Sequence, residues 1–527
     1  MNLSETLNKR ADLQHLLFRR GWLISRKSLD DKRGGFPFYG HWNSRKEAGW
    51  HFITHEEAHC NIHTVGKRMY FLMGHCYNPF TMRWEEEKQL AHIAEAAGNE
   101  TEFQSRIDEL TGVFVLGWIE DNEISFLVDP SGMQSAYYGQ MDDNFVITSH
   151  TQLLGDLYAL EMNDFVKELI AYKWYPRVMG CYLPADLSPY EEMRRVVPNI
   201  LYKQDLGSRR LSHRRFYPLR DLKECDTPKE YDTTIRAAAD TLRNGAELIL
   251  RKWNTPAISL TGGIDSNTTF AAANGHYKEF ETFSYMSAPK ERIDVEAAER
   301  IAETFHTRHT IHQIPSNNVE IQDFNIKAEI LRHNSGYIAM RKENELRKRI
   351  WLEEHYANDV EVKSWVSENI RAYWHKHFVR KSMPDLSPKL FRNLYKIFIG
   401  NRNLAHKIDK VFDHYIREFE YEKIPASFLP ADMFRWEVTS GSWGGLNISE
   451  MMYYSDITII YNNRKFLELL FSVPLSKRIS DQHHLDMKRY LNKELAQMNI
   501  LVQNAEQTKN RARMLNMIFT ANMSSPF

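Results

Sequence analysis

Residues 259–269, SLTGGIDSNTT, gather the side chains of this chain best suited to binding a charged ligand. Apolar Leu260 leads through Thr261 into the pair Gly262 and Gly263, and Asp265 and Ser266 follow. Paired glycines let backbone approach a ligand with no Cβ in the way, and Thr261, Ser266 and the amides opening a following helix can donate to phosphate oxygens. Asp265 repels bare phosphate, so its useful partner is a magnesium ion (Mg2+) bridging polyphosphate oxygens. Taken alone, the glycine pair reads equally well as a simple reversal of the chain after a strand. A Walker A loop is excluded, because no lysine follows the last glycine.

Such a turn needs a strand behind it and a helix ahead of it. From about residue 228 the chain supplies both in alternation: PKEYDTTIRAAADTLRNGAELILRKW reads as helix, PAISLT as strand, NTTFAAANGHY as helix, FETFSYM as strand, IDVEAAERIAETFH as helix and TRHTIHQIP as strand. This order predicts a parallel sheet with helices on both faces, and ligands collect at the carboxyl ends of such strands. Beyond 315 nearly everything reads as helical. Between about 60 and 150, KRMYFLMGHCYNP, TGVFVLGWIEDNEISFLVDP and DNFVITS predict a packed antiparallel β domain, with EDNE as a hairpin turn. Polar, turn-rich sequence near 205–228 separates the two patterns. The expected fold class is α/β, with an α+β N-terminal sandwich over 1–215 and an α/β parallel-sheet domain with a helical C-terminal part over 216–527.

A chain of 527 residues has room for two or three domains. Lys and Arg total 68 against 69 Asp and Glu, which gives no general attraction to nucleic acid or an anionic membrane, and neither is expected as a partner. Four scattered cysteines form no CxxC pair and suit a reducing compartment, so a cytoplasmic protein is expected. The N-terminus does not read as a signal peptide, and no apolar run approaches the roughly 20 residues of a membrane span. His306, His309 and His312 tempt a metal reading, but His309 and His312 fall on opposite faces of an extended segment.

TGGIDS resembles the SGGxDS loop of the ATP pyrophosphatase superfamily, with Thr261 in place of the usual first serine. ETFSYM is similar to that superfamily's second strand, which meets adenine, and RIDVEAAERIAETFHTRHTIHQIP to its acidic helix and histidine segment. FLMGHCYNP, DELTGVFVLGWIEDNEISFLVDPSGMQSAYYG and DNFVITS, in that order, look like the glutaminase half of asparagine synthetases. The resemblance implies a class II glutamine-amidotransferase-like, Ntn-hydrolase-type domain over 1–215 and an adenylating synthetase domain over 216–527. An active glutaminase of this type uses a cysteine whose own α-amino group is the base. Here Met1 is followed by Asn2, and Cys60 and Cys76 lie inside the chain. The expectation is a degenerate glutaminase domain and no use of glutamine, as in β-lactam synthetase and lasso-peptide cyclases.

The same resemblance implies ATP and Mg2+ as cofactors and nominates Leu260, Thr261, Gly262, Gly263, Asp265, Ser266, Ser284 and Tyr285 for the nucleotide. The relatives' second acidic loop has its counterpart in KSWVSENIRAYW, 363–374, which keeps Glu368 and Tyr373 but puts Ser367 where an aspartate should ligate metal. Asp265 and Glu368 are the implied metal ligands, with Glu368 also the implied base; a glutamate paired with Arg371 or Arg380 is the alternative. Arg371 is read as a contact to phosphate or a substrate carboxylate, or as a surface ion pair. EQTKNRARM nominates Lys509 to stabilise the phosphorus centre and leaving pyrophosphate, unless it lies on a solvated tail. SGSWGGLNIS, 440–449, either shapes an acceptor pocket or is a plain connection. The implied activity is an ATP-dependent ligase that adenylates a small-molecule or peptide carboxylate and joins it to an amine, with a homodimer as one expected assembly. An ATP-sensing protein and a tRNA-modifying enzyme are the alternatives.

Overall fold

The computed structural model describes residues 3–32, 40–177, 180–396, 398, 400–500 and 505–524, with side chains for all of these except 30 and 505–509. The fold is mixed α/β: two six-stranded antiparallel sheets in the N-terminal half and a five-stranded parallel sheet among helices in the C-terminal half. Thr111–Glu120 and Glu123–Val128 pair as the hairpin, with Asp121 turning at a φ of +52°. Nearly every residue of Thr111–Glu120 is buried, and Trp118 meets Phe103 of helix Glu100–Asp108 edge-on at 5.1 Å. Phe52 meets Phe71 across the two sheets with ring centroids 5.6 Å apart. The last strand of the sandwich is Arg210–Arg215.

Helix Pro228–Lys252 opens the second half, started by a capping box in which Thr227 and Glu230 satisfy one another's backbone amides. The parallel sheet runs in the spatial order His309–Gln313, Glu281–Met286, Pro256–Ser259, Val360–Val362, Asp456–Thr458. Chain order therefore reverses beside Pro256–Ser259, and a crevice opens beyond the carboxyl ends of Ser259 and Val362. Beyond 315 the chain is nearly all helical, as expected, but it also supplies two strands of this sheet. Val360–Val362 and Asp456–Thr458 are strands of three residues each, too short to show a period of two in the sequence.

The halves are bound by buried polar contacts. Arg215 donates to both oxygens of Glu437 at 2.6 and 2.9 Å, and Asn199 donates to the same carboxylate at 2.9 Å. Glu437 lies on a π-helix, Phe434–Gly444, whose continuation Gly445–Met451 is α-helical. Three glycines on this rod lie against the N-terminal half. A Cβ at Gly444 would sit 2.7 Å from the Met133 methyl, and one at Gly445 would sit 2.6 Å from the Gly132 carbonyl oxygen. Gly441 is as close to Arg195. SGSWGG is thus neither a loop nor a plain connection; its glycines let two backbones touch. No helix among the described residues is long and apolar enough to cross a membrane.

Candidate active site

Strand Pro256–Ser259 runs into the turn, and helix Ile264–Ala272 starts immediately after Gly263. The turn is tied internally. Thr261 and Ser266 hydroxyls meet at 2.9 Å, the Gly263 amide donates to Thr261 Oγ1 at 3.1 Å, and Asn267 donates to the Thr261 and Gly263 carbonyls at 2.9 and 2.7 Å. The Gly262 amide donates to Asp294 at 3.2 Å, so the acidic helix braces the turn from behind. The first-turn amides of Ile264–Ala272 have no intrahelical acceptor and form a ready cradle for an anion.

A cleft of about 300 Å³ opens over this turn. Thr261, Gly263, Asp265, Ser266 and Tyr285 line it, with Lys363, Trp365 and Glu368 from the neighbouring strand's loop and Arg435 and Trp443 from the π-helix. Trp365 stacks on Trp443 with centroids 5.1 Å apart and makes one apolar wall. Met133 of the N-terminal half also reaches the cleft. The expected side chains do not all face it. Leu260 is buried, and Ser284 spends its hydroxyl on the Leu260 carbonyl at 2.8 Å, tying two strands together. Neither they nor Gly262 line the cleft, so their part in any nucleotide contact is through the backbone they hold in place.

Asp265 carries the electrostatics of the site. Its Oδ1 accepts from the Ser367 hydroxyl at 2.7 Å, and its Oδ2 pairs with Arg371 at 2.5 Å. His484 Nε2 stands 3.5 Å from Oδ1, on a fully buried ring. Arg371 also grips both oxygens of Asp481 at 2.8 and 2.9 Å, and Lys376 reaches Asp481 at 2.7 Å. Burial pushes the Asp265 carboxyl up and Arg371 opposes it; burial drives His484 well below the ordinary histidine value, so that imidazole is neutral. Asp481 moves the other way: burial opposes, but Arg371 and Lys376 hold it below the usual carboxylate range.

Glu368 pairs with Arg435, whereas the alternative to its role as ligand or base is a pairing with Arg371 or Arg380. Arg435 in turn lies 4.1 Å from the Tyr373 ring centroid. Arg371 is ion-paired, but largely buried and not on the surface: it links two carboxylates at the base of the site. Lys509 falls on the closing helix Ala505–Ser524 with its side chain outside the described residues. Arg511 of that helix joins Glu368, Arg371 and Lys376 around an adjoining recess of about 310 Å³.

These side chains do not fit a protein-held Mg2+ ion between Asp265 and Glu368. Both Asp265 oxygens already accept from donors, Glu368 is matched to Arg435, and among the described residues no three His, Cys, Asp or Glu side chains are grouped to hold a metal. A divalent ion ~4 Å from the Arg371 guanidinium would be repelled by roughly 8 kcal/mol at an effective dielectric of 20. Sequence reading missed Asp481, Lys376, His484, Lys363 and Arg435. Only Lys363 carried a signal, as the first residue of the second loop.

Residues 238–327 match the asparagine synthase family model, a segment that holds the glycine turn, the adjacent strand Glu281–Met286 and the acidic helix. No curated protein matches the chain. Among solved structures, a glutamine phosphoribosylpyrophosphate amidotransferase from B. subtilis complexed with ADP and GMP is 11% identical, covering 69% of this chain and 73% of that one at a TM-score of 0.24. An allosteric regulatory enzyme of purine biosynthesis is 12% identical, over 66% and 70% of the two chains at a TM-score of 0.25. A glutamine-dependent NAD+ synthetase from Acinetobacter baumannii, in complex with ADP, is 12% identical over 48% and 56% at a TM-score of 0.20.

Proposed function

We propose that this chain is an ATP-dependent, amide-forming ligase that activates a substrate carboxylate as its adenylate, releases pyrophosphate and joins the acyl group to an amine. One observation carries the reading: a helix N-terminus, an aromatic side chain and a cationic wall meet in a single cleft at the point where the parallel sheet reverses its order. In this proposal adenine lies against Tyr285, and the α-phosphate rests on the amides after Gly263. Lys363 and Arg435 face the charge that develops as a carboxylate oxygen attacks the α-phosphorus. Glu368, partly exposed at the cleft, takes the proton of the attacking amine once Arg435 lets it go. Arg511, which lines the adjoining recess, faces the departing pyrophosphate, and Lys509 is proposed to act on the same charge.

The Trp365–Trp443 wall suits the body of a small natural product, a sugar acid or a peptide, with the amine on the substrate itself or on a second molecule. Glutamine is not the proposed nitrogen donor. Cys76 is fully buried, burial raises the thiols of Cys60, Cys76 and Cys181, and Cys225 bonds to Thr234 and Ser472. None of these has the setting of an activated nucleophile. The N-terminal half then serves as scaffold, bracing the π-helix through Glu437.

A second reading, nucleotide binding without turnover, is favoured by the pairing of Asp265 with Arg371. ATP labelled at the α-phosphate, incubated with the chain and a panel of amino carboxylates, separates the two. Labelled AMP with an equal yield of pyrophosphate supports the ligase. Labelled ADP contradicts it, and bound but uncleaved ATP supports the sensor.

A further inference from the structure

The cluster around Asp265 has the wrong charge pattern for a metal site and a complete one for something else. A carboxylate that receives a divalent ion keeps lone pairs free and usually has carboxylate neighbours. Here both Asp265 oxygens are taken by donors, Ser367 and Arg371, and the buried His484 ring, whose nitrogens have no hydrogen-bond partner, stands 3.5 Å away. The carboxylates at the base of the cleft are matched to cations: Asp265 and Asp481 share Arg371, Asp481 also takes Lys376, and Glu368 takes Arg435.

Arg371 itself is clamped. Its Nε and one terminal nitrogen grip Asp481, its other terminal nitrogen reaches Asp265, and Lys376 braces Asp481 from the far side. A guanidinium held this way is fixed in place before any ligand arrives. It also lines the recess that adjoins the cleft at Glu368, where Lys376 and Arg511 add two more cations. Planar, permanently charged and rich in donors, a guanidinium suits phosphate oxygens.

We infer that the Arg371 guanidinium stands in for the divalent cation, so that the cleft holds a nucleotide triphosphate with no metal ion bridging it to Asp265. This rests on the reading of the cleft as a nucleotide site. Asp481 is then a positioning residue, holding Arg371 at the mouth of the recess. Asp265 no longer carries a metal; it anchors the cation that replaces one.

The test is the affinity of the full chain for a fluorescent ATP analogue, read by anisotropy in excess EDTA and again in excess magnesium. The two dissociation constants are expected to agree within about 3-fold, a difference under 1 kcal/mol. Arg371→Gln frees Asp265 and removes the fixed charge, so its binding is expected to weaken at least about 10-fold in EDTA and to recover with magnesium. Arg371→Lys keeps the charge and is expected to bind equally in both buffers; it carries the variant arm if the Gln variant melts early. Wild-type binding that requires magnesium overturns the inference and leaves the nucleotide reading standing. Failure to bind in either buffer overturns both.

Discussion

Two ion-pair clusters in this molecule use the same chemistry for different ends. At the junction of the halves, Arg215 and Glu437 have no exposed side-chain surface at all. Arg215 is completed by the Phe419 and Tyr217 carbonyls at 2.9 and 3.0 Å, and Glu437 by Asn199. At the cleft, Asp265 keeps 24% of its side-chain surface exposed and Arg371 13%, and the cluster borders two cavities. A sealed and fully bonded pair fixes geometry. An open pair beside a cavity, with an unpartnered histidine behind it, is placed to exchange partners with a ligand.

Breaking the sealed pair is expected to have the largest effect. Glu437→Ala leaves Arg215 buried and uncompensated, a loss of about 3–5 kcal/mol in urea unfolding. Arg371→Gln, the matching change in the open cluster, is expected to cost under about 3 kcal/mol, less than the sealed pair, because water from the cavities can reach the freed Asp265 and Lys376 still pairs with Asp481. Equal losses would erase the contrast.

Gly263→Val comes next and acts on the ligand rather than the fold. A Cβ there lies 3.3 Å from Thr261 Oγ1, and Gly263 lines the cleft, so the bulk of a valine is added where a ligand would lie. ATP affinity is expected to fall about 100-fold, or ~2.7 kcal/mol, with little change in melting temperature. Gly445→Ala should do the reverse. Its Cβ meets the Gly132 carbonyl, so about 1–3 kcal/mol of stability is lost to overpacking, with nucleotide affinity per folded molecule kept.

The smallest effect belongs to a second junction contact, His59 to Asp456 at 2.6 Å. The hydrogen bond to Asp456 raises the His59 pKa against burial. The contribution is therefore present in full below the ordinary histidine value of about 6.5 and is lost as pH rises through the higher folded value. His59→Gln is expected to lower stability by under ~1 kcal/mol at pH 5.5 and by nothing measurable at pH 9, since the half-exposed ring is screened by solvent. A loss that grows with pH would show that the pair is not the cause.

The sequence was legible where local pattern decides structure. Helix Pro228–Lys252, the strands Pro256–Ser259 and Glu281–Met286 and helix Arg292–Thr304 carry their own periodicity. The turn was legible because its glycines, hydroxyls and aspartate are contiguous. Val360–Val362 and Asp456–Thr458 were not, since three residues express no period and the sheet recruits them through tertiary pairing. Asp481 and His484 were illegible for a related reason. They lie more than two hundred residues from Asp265, and only the packing of helix Gln482–Leu491 on helix Ile264–Ala272 brings them to it. The glycines of 440–449 announced a loop, whereas their use is the close approach of the other half.

The position of a bound nucleotide is the most direct test. A crystal structure of the chain soaked with a non-hydrolysable ATP analogue should show adenine beside Tyr285 and the α-phosphate on the amides after Gly263, with Arg371 turned toward the polyphosphate. Nucleotide bound elsewhere, with Trp365 and Trp443 closing an empty cleft over an unaltered Asp265–Arg371 pair, would contradict it.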